Sequence, residues 1–264
     1  MANIALRAAR NASPLITQGL DRLELLEKEE KSPFDFVSNI DREAENIIVE
    51  TIHRSYPDHT IICEESGEII HGDLDYTWII DPLDGTTNYL NGIPHFCISI
   101  ACLKGKQFEH AVIVDPLQNE EFVASKGFGS QLNGKRIRVN HSKPMSKTIL
   151  GTGIPPEAKK QHASTYMRTM GILIENCGAI RRMGSAALDL AYVASGRFDG
   201  FWEFNLKPWD IAAGTLLVRE AGGFVGDLTG GDNFLSTGNI IAASPACFKA
   251  MVRSISNEIT DDLR

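Results

Sequence analysis

Two stretches place carboxylates where an apolar element would ordinarily continue. "TWIIDPLDGTTNYL" (residues 77–90) carries a buried-looking run into Asp81 and Asp84, and "LKPWDIAAG" sets Asp210 directly after Trp209. Upstream, "TIICEES" ends a shorter apolar run at Glu64. Carboxylates at the ends of buried strands are costly unless something compensates their charge. Hard divalent cations do this with oxygen ligands, and Mg²⁺ takes a few protein oxygens while leaving the rest to water and phosphate. In "DPLD", Pro82 stiffens the turn, the Leu83 carbonyl can face the same way as the carboxylates, and the spacing lets Asp81 bridge two ions. Gly85, Thr86 and Thr87 then offer backbone N–H groups at a helix start, which suits a phosphate. Taken alone, "DPLD" fits an Asx-type turn capping the next helix about equally well. With "CEES" before it and "PWD" after it, metal binding is the preferred reading. Metals beside a phosphate cradle mean two-metal phosphoester hydrolysis, one ion lowering the pKa of a water and the other stabilising the leaving oxygen.

The elements that must hold these groups are legible in outline. Residues from about Ile4 to Glu27 read as an amphipathic helix despite Pro14, and "EKEEKSPFD" as a solvated surface connection. "SNIDREAENIIVETIHRSYP" is a helix with Ser38 or Asn39 as cap, Asp41 in its first turn and Pro57 past its end. "TIIC" and "TWII" are short buried strands. "FCISIACL", "EHAVIVDP", "EEFVAS" and "RIRV" form an antiparallel series, with Asn133-Gly134 as a hairpin turn. The second half alternates: strands at "TILGTGI", "AIRRM", "GFWEF" and "NIIAAS", and helices at "KKQHASTYMRTMGILIEN", "SAALDLAYVAS", "PWDIAAGTLLVREAG" and "PACFKAMVRSISNEI". The expectation is a compact α/β unit of two packed subdomains, 1–150 with most of the metal-binding oxygens and 151–264 with Asp210.

At 264 residues, with 43% hydrophobic and 23% charged content, the chain has an ordinary globular composition. Its 26 Lys+Arg against 34 Asp+Glu give a net charge of -8, which argues against broad non-specific nucleic-acid binding. Five scattered cysteines without a CxxC pair read as buried, reduced thiols of a cytoplasmic protein. No 18-residue apolar stretch and no signal-like start are present, so membrane association is not expected.

"WIIDPLDGTTNYLNG" and "WDIAAGTLLVREAGG", in that order and with "EES" ahead of them, resemble the two signature segments of the inositol monophosphatase family of Mg²⁺-dependent, lithium-sensitive phosphatases. The resemblance covers essentially the whole chain. "FVSNIDREAE", "PHFCISIA", "RRMGSAALDLAYVASGRFDGF" and "LKPWDIAAG" look most like the bacterial SuhB branch. It implies an alternating α-β-α-β-α sandwich of the sugar phosphatase type, with one antiparallel and one mixed sheet. It also implies a homodimer, with "RRMGSAAL" as part of the interface. Glu64, Asp81 and the Leu83 carbonyl match the family's first metal site; Asp81, Asp84 and Asp210 match the second. A third, weaker ion again leans on Glu64.

Thr86 matches the hydroxyl that positions the attacking water, and Asp41 the acid that supports it. Gly85 and Thr86 match phosphate-holding amides, Ala186 a backbone contact to the inositol ring, and Glu203 a carboxylate on the ring hydroxyls. Lys31 lies near a basic position of a family loop, where the alignment sets Glu30. The implied reaction is hydrolysis of myo-inositol monophosphates, or of related sugar and polyol phosphates. Fructose-1,6-bisphosphatase and 3'-phosphonucleotidase activities are rivals on the same fold. The SuhB branch further implies a role in transcription antitermination through the NusA factor, possible alongside catalysis. Plainer roles compete at several positions: Asp41 as a first-turn acid serving its helix, Glu65 as a supporting or surface acid, Trp209 as core, and His95 as a surface or packing residue. Arg181 and Arg182 fit a subunit interface better than a substrate contact.

Overall fold

The computed structural model describes residues 1–25, 28–32, 35–69, 73–141 and 143–263, with side chains described throughout that set except at 25–37, 69, 73, 74, 156, 157 and 159. Glu30 and Lys31 therefore have side chains outside the described set. In chain order the first half comprises α1 (Ala2–Leu20), β1 (Lys28–Ser32), β2 (Asp35–Ser38), α2 (Asn39–Ser55), β3 (His59–Cys63), β4 (Gly67–Ile69), β5 (Asp73–Asp84) and α3 (Thr86–Leu90). A run of strands follows: β6 (Cys97–Lys104), β7 (Gln107–Asp115), β8 (Glu120–Ser125), β9 (Gly129–Leu132) and β10 (Lys135–Ile137). The rest comprises β11 (Ile149–Thr152), α4 (Pro156–Asn176), β12 (Ala179–Arg181), α5 (Ala186–Ala194), β13 (Gly200–Glu203), α6 (Pro208–Glu220), β14 (Phe224–Gly226), α7 (Phe234–Thr237), β15 (Ile240–Ala243) and α8 (Pro245–Ile255).

The larger sheet has eight strands in the order β10-β9-β8-β7-β6-β5-β3-β4. It is antiparallel at every junction but β3–β5, where Ile61 to Cys63 run alongside Trp78 to Ile80. The smaller sheet, β12-β11-β13-β15-β14, is mixed: β11 is parallel to β12 and β13, and β15 antiparallel to β13 and β14. Asn133 and Gly134 both have positive φ, 48° and 74°, and join Leu132 to Lys135 as the two-residue turn their types favour.

Each helix is apolar on the faces it buries. In α1, Ala5, Ala8, Ala9, Ala12 and Ile16 are buried while Pro14 is exposed, and small side chains let α1 lie close on α2. Those two helices cover one face of the larger sheet, forming a core with Trp78, Ile80 and Ile100. α5 and α6 lie on its other face and also against the smaller sheet, and they are buried almost all round: Leu188, Leu190, Leu216 and Leu217 sit in that inter-sheet core. α4 and α8 close the outer face of the smaller sheet around Trp202, Phe204 and Met251. The order is helix, sheet, helix, sheet, helix. All five cysteines are free, four of them buried. No helix among the described residues is long and apolar enough to cross a membrane.

Several local readings change. α1 ends at Leu20, not near Glu27, and a short 3-10 turn follows at Leu23–Leu25. "EKEEKSPFD" is not a plain connection: its ends pair as β1 and β2, Lys28 opposite Ser38 and Glu30 opposite Phe36. The charges masked a strand signal carried by Phe36 and Val37. β4, β9 and β14 were also unforeseen, their three or four residues being too few to show alternation.

Candidate active site

The site forms where β5 runs out. Between Asp81, opposite Ser99, and Asp84, opposite Cys97, β5 carries one more residue than its partner β6. In a regular strand, residues three apart point to opposite faces. The bulge cancels that alternation. Ile79 faces the inter-sheet core, Ile80 and Leu83 face the outer core, and Asp81 and Asp84 both turn toward α6. The proline and the second aspartate thus do more than end the strand. Leu83 N–H donates to Asp81 Oδ1 at 2.9 Å, so the Asx-type turn is present as well.

α6 delivers the third carboxylate. Pro208 occupies its first turn, and Lys207 N–H donates to Asp210 Oδ2 at 2.7 Å, which fixes the acid at the third helical position. Ser99 Oγ, on β6 directly opposite Asp81, donates to the Trp209 carbonyl at 3.1 Å and ties this turn to the larger sheet. Asp81, Asp84 and Asp210 each present a carboxylate oxygen within 4.8 Å of the others. Glu64 flanks Asp81: its backbone N–H continues the β3–β5 ladder to the Ile80 carbonyl at 3.2 Å, and its carboxylate lies close enough to raise Asp81.

The electrostatics are those of an uncompensated acidic cluster. Burial holds Asp81 well above the usual carboxylate range, and the charges of Glu64, Asp84 and Asp210 push it further. Asp210 is raised in the same way, by burial and then by Asp84 and Glu64. Burial also raises Asp84, against the pull of two donors. Those are Ser185 Oγ at 2.6 Å and Ala187 N–H at 2.7 Å, both from the start of α5 and both on Asp84 Oδ2. Oxygen donors only, closely spaced and mutually repelling, fit a hard divalent cation.

Beside the acids, Gly85 has φ +95° and opens α3. A Cβ there would lie 3.0 Å from the His95 carbonyl oxygen and 3.3 Å from the Phe96 Cα, so the position admits only glycine. Thr86 Oγ lies 3.0 Å from Asp41 Oδ1 and 3.0 Å from the Leu83 carbonyl oxygen; with one proton, it donates to one at a time. Asp41 is buried and raised by that burial, although Ser38 N–H and Oγ donate to its other oxygen at 2.9 and 2.6 Å. It therefore serves its own helix start and Thr86 together.

The opposite wall comes from the second half. Ala186 is the first residue of α5, and Glu203 ends β13 with its carboxylate against Gly153. Burial pushes Glu203 well up, as do Asp189 and Asp84, while Arg182 offsets them in part.

The sequence profile of the inositol monophosphatase family matches residues 1–260. The chain belongs to that family. Among its relatives, Nus factor SuhB of Escherichia coli K12 is 52% identical over 265 residues, spanning 100% of this chain and 98% of its own. Nus factor SuhB of Pseudomonas aeruginosa is 47% identical over 268 residues, with the same coverage. The crystal structure of extragenic suppressor protein suhB from Bartonella henselae superposes with a TM-score of 0.94 at 40% identity, covering 97% of this chain and 98% of that one. Inositol monophosphatase from Anabaena gives 0.87 at 35% identity, covering 97% and 95%.

Within this site, several groups escaped sequence reasoning. Ser185 and Ala187 hold Asp84 across more than 100 residues of chain; the available signal was Ser185 standing before an apolar run, where an N-cap belongs. Of the two readings of His95, surface or packing, the second holds, and it makes a polar contact besides: it is 4% exposed, and Nε2 lies 3.2 Å from Asp189 Oδ1. Asn88 spends both amide hydrogens on the His95 and Met183 carbonyls at 2.8 Å each, joining α3 to the approach to α5. Trp209 contributes through its carbonyl as well as its packing. Arg181 and Arg182 are exposed at the end of β12.

Proposed function

We propose that the protein is a Mg²⁺-dependent phosphomonoesterase that hydrolyses myo-inositol monophosphates, and related polyol phosphates, by attack of water. The observation that carries this reading is the meeting of Asp81, Asp84 and Asp210 oxygens within 4.8 Å of one another, beside the glycine-opened turn at Gly85–Thr86. Glu64, Asp81 and the Leu83 carbonyl would hold one ion, and Asp81, Asp84 and Asp210 a second; a third, weaker one would lean on Glu64. Bound there, the ions would supply Lewis acidity and a water of lowered pKa.

The chain's own groups do the positioning. Thr86 Oγ, with its proton committed to Asp41 or to the Leu83 carbonyl, keeps a lone pair for the attacking water and sets its direction. The amides of Gly85 and Thr86 hold the phosphate. The backbone at Ala186 and the carboxylate of Glu203 hold ring hydroxyls, which favours a polyol over a fructose bisphosphate or a nucleotide. The active form is a cytoplasmic homodimer.

Purified protein is assayed on inositol 1-phosphate, fructose 1,6-bisphosphate and a 3'-phosphonucleotide, with Mg²⁺, with EDTA and with added Li⁺. The expected result is turnover that needs Mg²⁺, is inhibited by Li⁺ and is fastest on inositol phosphate. Asp84→Asn should lower kcat by about 10³-fold or more. Full activity in EDTA would overturn the reading.

A second role is favoured by the 52% identity, over the whole chain, to a protein named Nus factor SuhB. In that role the protein acts in transcription antitermination through the NusA factor, without direct nucleic-acid binding, which its net charge of -8 disfavours. A pull-down with NusA using wild type and Asp84→Asn tests it. Equal capture by both makes the role separable from catalysis; no capture removes it.

A further inference from the structure

α2 sends two carboxylates toward the site from one face, one turn apart. Asp41 reaches Thr86, while Glu45 turns to the other side. Glu45 is 3% exposed, and both its oxygens are engaged by backbone amides of the turn after β3. Glu65 N–H donates to Oε2 at 2.9 Å and Ser66 N–H to Oε1 at 3.0 Å. These are the two residues immediately following Glu64. Glu64 itself is pinned on its other side by the N–H bond to the Ile80 carbonyl.

A buried carboxylate that accepts two consecutive amides fixes the direction of the chain at that point, since neither bond survives a rotation of the turn. We propose that Glu45 is a positioning residue, whose grip on the Glu65 and Ser66 amides holds the Glu64 carboxylate against Asp81 for cation binding. The inference rests on the reading of Glu64 as a metal-holding group. It assigns a cost to losing Glu45 although Glu45 itself never touches the ion. Removing the support of a metal-holding side chain characteristically weakens binding by about 10- to 100-fold.

Mn²⁺ binding is titrated by electron paramagnetic resonance on the full-length protein, as wild type, Glu45→Gln, Glu45→Asp, Glu64→Gln and the Glu45→Gln/Glu64→Gln double variant. Glu45→Gln keeps the length but presents an amide to one of the two donors. Glu45→Asp keeps the charge but loses the reach. Both should weaken Mn²⁺ binding by about tenfold or more, and the double variant should bind no more weakly than Glu64→Gln, because the two residues act as one unit.

Wild-type affinity in both Glu45 variants overturns the proposal. Weakening in Glu45→Gln but not in Glu45→Asp also does, since charge alone would then matter, and so does additivity in the double variant. If the wild type binds no Mn²⁺, the reading of the site itself falls, and the proposal with it. Far-UV circular dichroism of the metal-free proteins checks folding, and if Glu45→Gln is unfolded Glu45→Asp carries the comparison. Hydrogen exchange in the wild type is a second measurement: the Glu65 and Ser66 amides should be protected, and fast exchange at both overturns the clamp.

Discussion

Gly153 is small because Glu203 occupies the space a side chain would take. A Cβ on Gly153 would sit 2.3 Å from both carboxylate oxygens of Glu203, and its φ lies outside the left-handed region, so room rather than backbone freedom is what glycine provides here. Gly153→Ala should therefore swing the Glu203 carboxylate away from the proposed ring-binding wall. The expected result is a KM for inositol 1-phosphate raised by roughly 10- to 100-fold, the worth of one hydrogen bond to a charged group, with p-nitrophenyl phosphate, which has no ring hydroxyls, turned over as before. Steady-state kinetics on the two substrates checks this; equal losses on both would oppose it. At this scale the sequence showed Asp81, Asp84 and Asp210 plainly, because an acid inside an apolar run stands out. It hid Ser185, Ala187 and Glu45, whose parts are played through hydrogen bonds to distant partners, two of the three involving backbone amides. A lone serine, alanine or helical glutamate carries no mark of such a role.

Elements were legible where their period was long. α2, α4, α5, α6 and α8 follow from apolar spacing and caps, and the β6 to β8 series from alternation. Short pieces such as β14 and the β1–β2 pair were not, because three to five residues hold too little pattern and pairing partners decide them. The bulge in β5 was invisible for another reason: it exists only relative to β6. The turn after β14 offers an element-scale test. Burial alone would raise Asp227, but it is outweighed by Thr229 Oγ and the amides of Thr229, Gly231 and Asn233, which leave the acid below its ordinary range. A carboxyl depressed by folding contributes stability above its unfolded pKa and loses it as pH falls through the folded value. Asp227→Asn should therefore cost about 1–3 kcal/mol at pH 7, and the gap to wild type should narrow below about pH 4. Urea melts at pH 7 and pH 3 measure both; a constant gap would count against the bonded carboxylate.

Across the whole molecule, the five-layer order puts α5 and α6 in contact with both sheets. At the acidic cluster, the groups that cross the junction come from the starts of these two helices: Ser185 and Ala187 on Asp84, and Asp210 beside Asp81. His95 and Asp189 add a buried contact along the same seam. The larger sheet takes all its strands from residues 59–137 and the smaller from 149–243, so the site is assembled from material that is remote in the chain. That separation has a temporal consequence. Local pairings within each sheet close short loops early, whereas the Asp84–Ala187 contact spans 103 residues and forms only when the halves dock. Asp210 consequently joins Glu64, Asp81 and Asp84 late on the folding route, and the expectation is that a cation relieving their repulsion acts on a contact absent from the transition state. At a Mg²⁺ concentration 100 times its Kd the gain is about 2.7 kcal/mol, and it should be read in stopped-flow traces as slower unfolding with an almost unchanged refolding rate. In the cell, the lifetime of the folded chain would then follow the supply of the ion that the proposed chemistry requires.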